Sequence, residues 1–361
     1  MCLKSKVNKT MLQYSGKISS IILIAKRQLG KVSVINRLLS VWNQKLDFRH
    51  LSDIANVSPP INHVVVWDQL VSPPTIGDLI EVIMFARWIA SQGRKVTFVV
   101  ITGSYREDWN RTEYVELDRV QQQIIEALSI KLNITVKRCS WQEFLKLTID
   151  DQNCHILFSE RVKTRKTFYS ESLYLLNRLV TRLRQVSDHD WLLDSHELSK
   201  TIMGKSEVLK SGKYVAWGVR YRAVATDRNT TGAEFRLLYL ALKNRSNGLP
   251  IVVVSDKEAC EYFKKIAHSF NLDCLFSSDY STSFLDDAAI AIGGEVFFLI
   301  RGGGMGEVAL YSSSPYEMSY AISPPRKMFS KQKMTAWQTS EQVFSKLPAD
   351  DLSLHLPQFE L

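Results

Sequence analysis

The residues best suited to chemistry lie in one segment near the end of the chain, EVFFLIRGGGMGEVALYSSSPYEM, residues 295–318. A β-type apolar run is followed by an arginine, then by glycines, and further on by serines. These residues are Arg301, Gly302, Gly303, Gly304, Gly306, Ser312, Ser313 and Ser314. Glycines let the main chain approach a ligand, and arginine, hydroxyl and free N–H groups are good partners for phosphate. The segment therefore predicts a phosphate site, with a tight turn in a sheet as the alternative.

Polar or glycine-containing residues also follow other predicted strands. Ligands of open α/β sheets bind outside the carboxyl ends of the strands, so residues at these positions are candidates for a common site. They are the turn Thr75–Asp78, Arg220 with Arg222, Ser255 with Asp256, and Ser277–Asp279.

Each of these candidates has a structural alternative. Gly77 allows close approach to the first N–H groups of a helix, but glycine and aspartate are also common at plain helix caps. Arg220 and Arg222 alternate on a predicted strand and would share a face, which requires either an anion or acidic partners. Ser255 and Asp256 either contact a base or ribose or cap the next helix.

Several common site motifs are missing from the sequence. No G-x-G-x-x-G follows the first predicted strand, and neither G-x-x-x-x-G-K-[ST] nor G-x-S-x-G occurs. The sequence therefore disfavours NAD enzymes, P-loop NTPases and α/β-hydrolases. The five cysteines contain no C-x-x-C pair and the histidines no H-E-x-x-H spacing, so no metal site is expected.

The elements that would position these residues form two series of alternating strands and helices. In the first series the expected strands are 63–71, 95–103, 133–139 and 155–159, and the expected helices are 76–93, 115–131, 141–148 and 171–186. In the second series the expected strands are 213–223, 249–256, 272–276 and 295–300, and the expected helices are 233–245, 257–270 and 282–294. Such alternation predicts parallel strands with crossover helices, and the polar stretch around 187–212 would join the two units.

The net charge of +9 comes from the first part of the chain. Nine lysines and arginines and no acidic residue precede Asp47, and the other 37 basic residues balance the 37 acidic ones. A neutral body argues against nucleic-acid binding. The arm has no apolar run long enough to span a bilayer. Its composition favours a solvated extension that packs on the body, and the alternative is contact of residues 1–46 with an anionic membrane surface.

Four segments of the chain carry a resemblance to the GT-B glycosyltransferases, and within them to the fucosyltransferase-like branch. TIGDLIEVIMFARWIASQGRKVTFVV is similar to the G-x-G-D turn and helix that open the first domain of that branch. GVRYR, residues 218–222, resembles its G-V-H-x-R strand, with Arg222 at the position of the arginine that contacts the donor diphosphate. VVVSD and YSSSPY resemble its later strand end and its serine-rich turn. Arg220 departs from the pattern by replacing the motif histidine.

The resemblance implies two Rossmann-like α/β domains that face a cleft, preceded by a basic extension. The expected boundaries are 1–50 for the extension, 51–195 for the acceptor-side domain, 196–325 for the nucleotide-sugar domain and 326–361 for the tail. The implied activity is metal-independent transfer of a hexose or fucose from a nucleotide diphosphate donor to a glycan or lipid-linked acceptor. No cofactor is expected, since the nucleotide-sugar donor is a substrate. The expected location is the cytoplasm, with a peripheral position at the cytoplasmic membrane face as the alternative.

In this interpretation Asp78 is the general base and the remaining candidates bind the donor. The donor-binding set is Gly77, Arg220, Arg222, Ser255, Asp256, Arg301, Gly302, Gly303, Gly304, Gly306, Ser312, Ser313 and Ser314. The alternative is a non-catalytic, two-lobed α/β protein that binds a nucleotide or sugar, which the arginine at position 220 favours.

Overall fold

The described residues form two separate β-sheets, and every strand pair among them is parallel. The computed structural model describes residues 62–69, 75–102, 114–150, 154–157, 189–222, 229–300 and 304–319. The sequence prediction of a mixed α/β fold with parallel sheets is confirmed. No helix within these ranges is long and apolar enough to cross a bilayer.

The first sheet belongs to the first half of the chain. Its elements are β1 (Asn62–Asp68), α1 (Ile76–Ser91), β2 (Val96–Ile101), α2 (Tyr114–Ile130), β3 (Thr135–Cys139), α3 (Trp141–Asp150) and β4 (Cys154–Leu157). The strand order is β3-β2-β1-β4. β1 is buried from His63 to Asp68, as a central parallel strand covered on both faces must be.

The second sheet belongs to the second half. Its elements are β5 (Val215–Gly218), α6 (Gly232–Arg245), β6 (Ile251–Val254), α7 (Lys257–Ser269), β7 (Leu275–Phe276), α8 (Phe284–Gly293), β8 (Val296–Ile300), α9 (Gly304–Leu310) and β9 (Tyr316–Ser319). The strand order is β7-β6-β5-β8-β9. Helix α6 begins with a reciprocal capping box between Thr231 and Glu234, and the side chain of Asp256 caps α7.

The segment between the sheets is more buried than its polar composition predicts. Its described part holds the short helices α4 (Ser195–Leu198) and α5 (Glu207–Ser211) and two 3-10 turns, His189–Trp191 and Ile202–Gly204. Trp191 is fully buried, and the leucines that follow it are nearly so. The segment is therefore part of the core and not a solvated linker.

One buried apolar cluster reaches from the first sheet to the second. It includes Trp67 of β1, Ile83 of α1, Ile290 of α8, Leu310 of α9 and Ala216 of β5. Helices α1 and α2 cover one face of the first sheet, α8 and α9 cover one face of the second, and these helices pack on each other. The two units thus share a core on this side, and the cleft between them stays a prediction.

The outer faces of the sheets have their own apolar clusters. Phe144 of α3 packs against Val66 and Val99 on the outer face of the first sheet. Phe235 of α6 and Phe263 of α7 pack against the outer face of the second. Each sheet is therefore covered on both faces, which explains why its central strands lack polar alternation.

Two predicted elements differ from those observed. The strand expected over 213–223 ends at Gly218, so Arg220 and Arg222 do not share the face of a strand. The glycine-rich segment expected to be a loop enters helix α9 at Gly304, and Gly306 is buried in its first turn. In both cases the apolar residues predicted the strand correctly, and the polar or glycine residues that follow it were assigned to the wrong structure.

Some predicted features lie outside the described residues. They are the basic arm 1–50, the helix over 171–186, the tail 326–361, and Arg301, Gly302 and Gly303.

A buried arginine on α1 holds the connecting segment against the first unit. The Arg87 side chain is completely inaccessible to solvent and pairs with Glu197 of α4. Its Nη2 donates to Glu197 Oε2 at 3.0 Å, and its Nε donates to the carbonyl oxygen of Trp191 at 2.9 Å. It also donates to the carbonyl oxygens of Leu128, at the end of α2, and Leu192. A buried guanidinium needs this many acceptors, because each donor left without one would carry its full desolvation cost.

Replacing this arginine should destabilise the protein strongly. Arg87→Met removes the charge and leaves a buried carboxylate and carbonyl groups without their donor, so the free energy of unfolding should fall by about 3–5 kcal/mol. Urea denaturation measures the change. The control is Arg119→Met, because Arg119 and its partner Glu116 are 59% and 63% exposed. The control should cost less than about 1 kcal/mol. Equal effects of the two substitutions would contradict the role given to Arg87.

Candidate functional site

The topology of each sheet marks one crevice where a ligand is expected to bind. β1 lies between β2 and β4, and β5 lies between β6 and β8, so the chain reverses its direction of winding at these two pairs. The crossover helices on either side of such a point lie on opposite faces of the sheet and leave a gap at the carboxyl ends of the strands. The candidate crevices are therefore at the ends of β1 and β4 and of β5 and β8.

The two crevices meet where helices α1 and α9 begin. α1 follows β1 and α9 follows β8, and a Cβ placed on Gly77 would lie 3.6 Å from Gly304 Cα and 3.2 Å from Glu307 Cγ. A Cβ on Gly304 would in turn lie 3.5 Å from Ile76 Cγ2. The sequence singled out Gly77 and Gly304 separately, and the structure brings them into contact. Glycine at both positions allows the two helix starts, and with them the carboxyl edges of both sheets, to approach this closely.

Asp78 is oriented by Thr75, the first residue of the candidate turn. Thr75 caps α1: its Oγ1 accepts a hydrogen bond from the N–H of Asp78 at 3.2 Å and donates to Asp78 Oδ2 at 2.6 Å. The carboxylate is half-buried in the first helical turn, where the helix dipole favours negative charge. A carboxylate held in one orientation beside a crevice has the geometry that a general base requires.

A second carboxyl group at this junction was missed. Glu307 lies in the first turn of α9 and is 7% exposed, and its Cγ is the atom nearest to the Cβ position of Gly77. The signal was present in the sequence, since Glu307 directly follows the last glycine of the candidate segment. The sequence analysis did not single it out, because it did not predict helix α9.

Arg220 and Arg222 lie just beyond the end of β5, where Asn229 organises them. Arg220 Nη1 donates to Asn229 Oδ1 at 3.1 Å, and the N–H of Arg222 donates to the same oxygen at 2.9 Å. Arg222 Nε donates to Asp256 Oδ2 at 3.2 Å, in a pair whose side chains are 53% and 41% exposed. An exposed pair of this kind is weak, so Arg222 can exchange its partner for a ligand anion at little cost.

Ser255 and Asp256 follow β6 and both have structural roles. The Ser255 hydroxyl is buried and donates to the carbonyl oxygen of Val219 at 2.9 Å. Asp256 accepts from the N–H of Ala259 at 3.0 Å and so caps α7, which is the alternative that the sequence left open. Both residues lie at the carboxyl edge of the second sheet, and their binding to a donor stays a prediction.

The serine cluster is at the wrong edge of the sheet for the role predicted. Ser312–Ser314 precede β9 and therefore lie at the amino edge, opposite the crevice. The hydroxyl of Ser312 donates to Ala309 O at 2.9 Å and that of Ser314 to Ile292 O at 2.5 Å. Ser313 Oγ is 3.5 Å from Leu193 O. These hydroxyls tie the end of α9 to neighbouring segments, so we correct their assignment from phosphate ligands to structural residues.

Two adjacent carboxyl groups at the start of α8 behave oppositely. The pKa of Asp287 is raised to about 6. Burial is the main cause, the charges of Asp256 and Asp286 act in the same direction, and hydrogen bonds from the hydroxyls of Ser277 and Ser281 act against it. For Asp286, burial acts in the raising direction, but hydrogen bonds from the main chain and hydroxyl of Thr282 and from the hydroxyls of Ser199 and Ser283 hold its pKa below the usual value.

No group of three His, Cys, Asp or Glu side chains within the described ranges could hold a metal ion.

No protein-family profile matches the chain, and no curated protein matches it significantly. Among solved structures, the chain is similar to the ADP-heptose LPS heptosyltransferase II of E. coli, with 12% identity and a TM-score of 0.37. That match covers 73% of this chain and 86% of the heptosyltransferase. It is too distant to support a statement about fold or function.

The buried carboxyl of Asp287 should make stability depend on pH. Its folded pKa of about 6 exceeds the value of about 3.9 expected when unfolded, so its contribution to stability is present below pH 4 and is lost as the pH rises to 6. Asp287→Asn keeps the acceptor for Ser281 Oγ and cannot ionise. The variant should match the wild type at pH 4 and exceed its free energy of unfolding by about 1–3 kcal/mol at pH 7.

The measurement is urea denaturation of both proteins across this pH range. Asp286→Asn is the matched control, because its lowered pKa predicts the opposite sign: a loss of stability at pH 7 that shrinks on acidification. An Asp287→Asn variant that is less stable than the wild type at pH 7 would show that the buried carboxylate is stabilised by its hydroxyl donors.

Proposed function

We propose that this chain is a glycosyltransferase that moves a sugar, of hexosyl or fucosyl type, from a nucleotide diphosphate donor to a glycan or lipid-linked acceptor without a metal ion. The observation that carries the proposal is the contact between the start of α1, with Gly77 and Asp78, and the start of α9, with Gly304. Asp78 of one α/β unit is therefore next in sequence to the point where that unit meets the glycine-rich start of α9 in the other.

In the proposed reaction Asp78 takes the proton of an acceptor hydroxyl group. The acceptor oxygen attacks the anomeric carbon of the donor, and the bond from that carbon to the diphosphate oxygen breaks. The nucleoside diphosphate leaves with the bonding electron pair and therefore gains negative charge. A base held in place is needed on the acceptor side, and positive or N–H groups are needed on the donor side.

The donor side would be formed by the second unit. Arg222 is at the end of β5 and is held by weak, exposed contacts, so it is free to turn toward a diphosphate. Gly304 packs against Ile76 of α1 and Gly306 is buried, so their predicted contact with the phosphate groups rests on their main-chain N–H groups. Arg301, Gly302 and Gly303 are assigned to this side from the sequence alone. Contact of residues 1–46 with an anionic membrane belongs to the proposal on the same basis.

Donor binding can be tested with Arg222→Ala. Charge-assisted contacts to a diphosphate contribute about 1.5–3 kcal/mol, so affinity for UDP, GDP or ADP, whichever binds the wild type, should fall roughly 10- to 100-fold. Isothermal titration calorimetry measures the affinity. The melting temperature should change little because the Arg222–Asp256 pair is exposed. Arg119→Ala, which removes another exposed arginine, is the control and should bind like the wild type.

If Arg222→Ala lowers the melting temperature and leaves nucleotide affinity intact, the arginine is structural. If none of the nucleotides binds the wild type, the proposed function is wrong.

The role of Asp78 can be tested with Asp78→Asn. Asparagine keeps the shape of the side chain and can still accept a hydrogen bond from Thr75, but it cannot take a proton. Sugar transfer should fall at least about 100-fold while nucleotide affinity stays unchanged. Transfer is measured as nucleoside diphosphate release in the presence of the acceptor. Glu116→Gln, on the exposed surface of α2, serves as the control. Full activity of the Asp78→Asn variant would exclude Asp78 as the base.

A further inference from the structure

An open groove of about 600 Å³ lies along the outer face of helix α7, and nothing in the proposed reaction uses it. Its lining residues are Tyr221, Lys257, Glu258, Glu261, Tyr262 and Lys265. All of them except Tyr221 fall on one face of α7, and Tyr221 reaches the groove from beyond the end of β5. The groove is on the opposite face of the second sheet from α9 and so lies apart from the contact between α1 and α9, while its Tyr221 and Lys257 are sequence neighbours of Arg222 and Asp256.

The two tyrosines of the groove form a stacked pair, so the outer face of a ring is what a ligand can pack on. The rings of Tyr221 and Tyr262 are stacked, with their centroids 3.9 Å apart and an angle of 10° between their planes. Both rings rest edge-on against Phe263, at centroid distances of 6.4 and 5.0 Å. Phe263 stacks on Phe235, and Phe235 stacks on Trp217 in the core, each at 4.6 Å. This aromatic column fixes the position of the surface pair before any ligand arrives.

The polar groups around the rings are balanced in charge and open to new partners. Two lysines and two glutamates line the groove, so it carries no net charge. Among the described residues, the side chains of Lys257, Glu258 and Lys265 make no hydrogen bond or ion pair, and neither tyrosine hydroxyl has a partner. Lys264 Nζ donates to Glu261 Oε1 at 2.9 Å, and this bond, with smaller contributions from the charges of Lys257 and Lys265, lowers the pKa of Glu261. The groove therefore offers both donors and acceptors beside the rings.

We propose that this groove binds a neutral oligosaccharide. The C–H face of a pyranose ring packs on an aromatic face, and its hydroxyl groups require donors and acceptors of both kinds around it. A diphosphate or another polyanion would meet Glu258 and Glu261, and an apolar peptide would leave the lysines and glutamates without partners. The inference rests on the chemistry of the groove alone. If the proposed reaction is correct, the oligosaccharide held here belongs to the acceptor or the product.

The test measures binding of maltotriose, cellotriose, chitotriose and mannotriose to the full chain by saturation-transfer difference NMR and calorimetry. We expect at least one of them to bind, with the strongest transfer to ring C–H protons. Tyr262→Ala should weaken this binding about tenfold or more, and Tyr262→Phe should keep most of it because the ring remains. Phe270→Ala, which removes a 45% exposed aromatic residue just beyond the other end of α7, should have no effect.

A double variant, Lys257→Ala with Lys265→Ala, keeps the aromatic pair and should weaken binding several-fold, which guards against misfolding of Tyr262→Ala. Melting temperatures of all variants establish that they fold. The proposal is overturned if no oligosaccharide binds, if Tyr262→Ala binds as well as the wild type, or if UDP, GDP or ADP competes for the groove. A chain that binds nucleotide but no sugar keeps the proposed function and loses this site. If the chain binds sugar but no nucleotide, this site is supported and the proposed function is wrong.

Discussion

The guanidinium group of Arg87 decides how the two halves of this protein are joined. A fully buried cation is tolerated only if acceptors surround it, and here they come from the end of α2, from the segment after the first sheet and from Glu197. The segment from Trp191 to Glu197 must therefore pass α1 beside Arg87, where it supplies these acceptors. Gly77 is ten residues before Arg87 on the same helix, which corresponds to about 15 Å along its axis. The contact that fixes the connection also fixes the far end of α1, where the candidate site begins.

The candidate site depends on main-chain geometry more than on any cluster of side chains. Helices α1 and α9 can start next to each other because Gly77 and Gly304 have no side chains between them. Next to that contact, Asp78 is held by a threonine hydroxyl, and at the carboxyl edge of the second sheet Arg222 is held by an exposed pair. The first side chain is held in one orientation and the second can change partner, which suits the roles proposed for them.

Much of the fold followed from the sequence, because the strands are short apolar runs and most helices carry clear caps. Thr75, Thr231 and Asp256 each mark a helix start that the pattern predicted to within a residue or two. The candidate site was only partly predictable. Sequence position could indicate that Gly77 and Gly304 follow strands, but not that the helices after them touch. It also could not show that Ser312–Ser314 precede a ninth strand, β9. That strand is short, and it pairs with β8 in parallel after helix α9 and not through a hairpin turn.

The shared apolar cluster between the sheets has a consequence for how such a chain can change over evolution. Helices α1 and α2 bury their outer sides against α8 and α9, so the facing surfaces of the two halves are apolar and are not suited to contact with water. The two halves cannot be exchanged as independent modules, since a replacement half would have to supply matching apolar helices and a carboxylate for Arg87. New specificity would therefore have to arise in the loops at the carboxyl edges and in the outer groove, which lie away from the shared core.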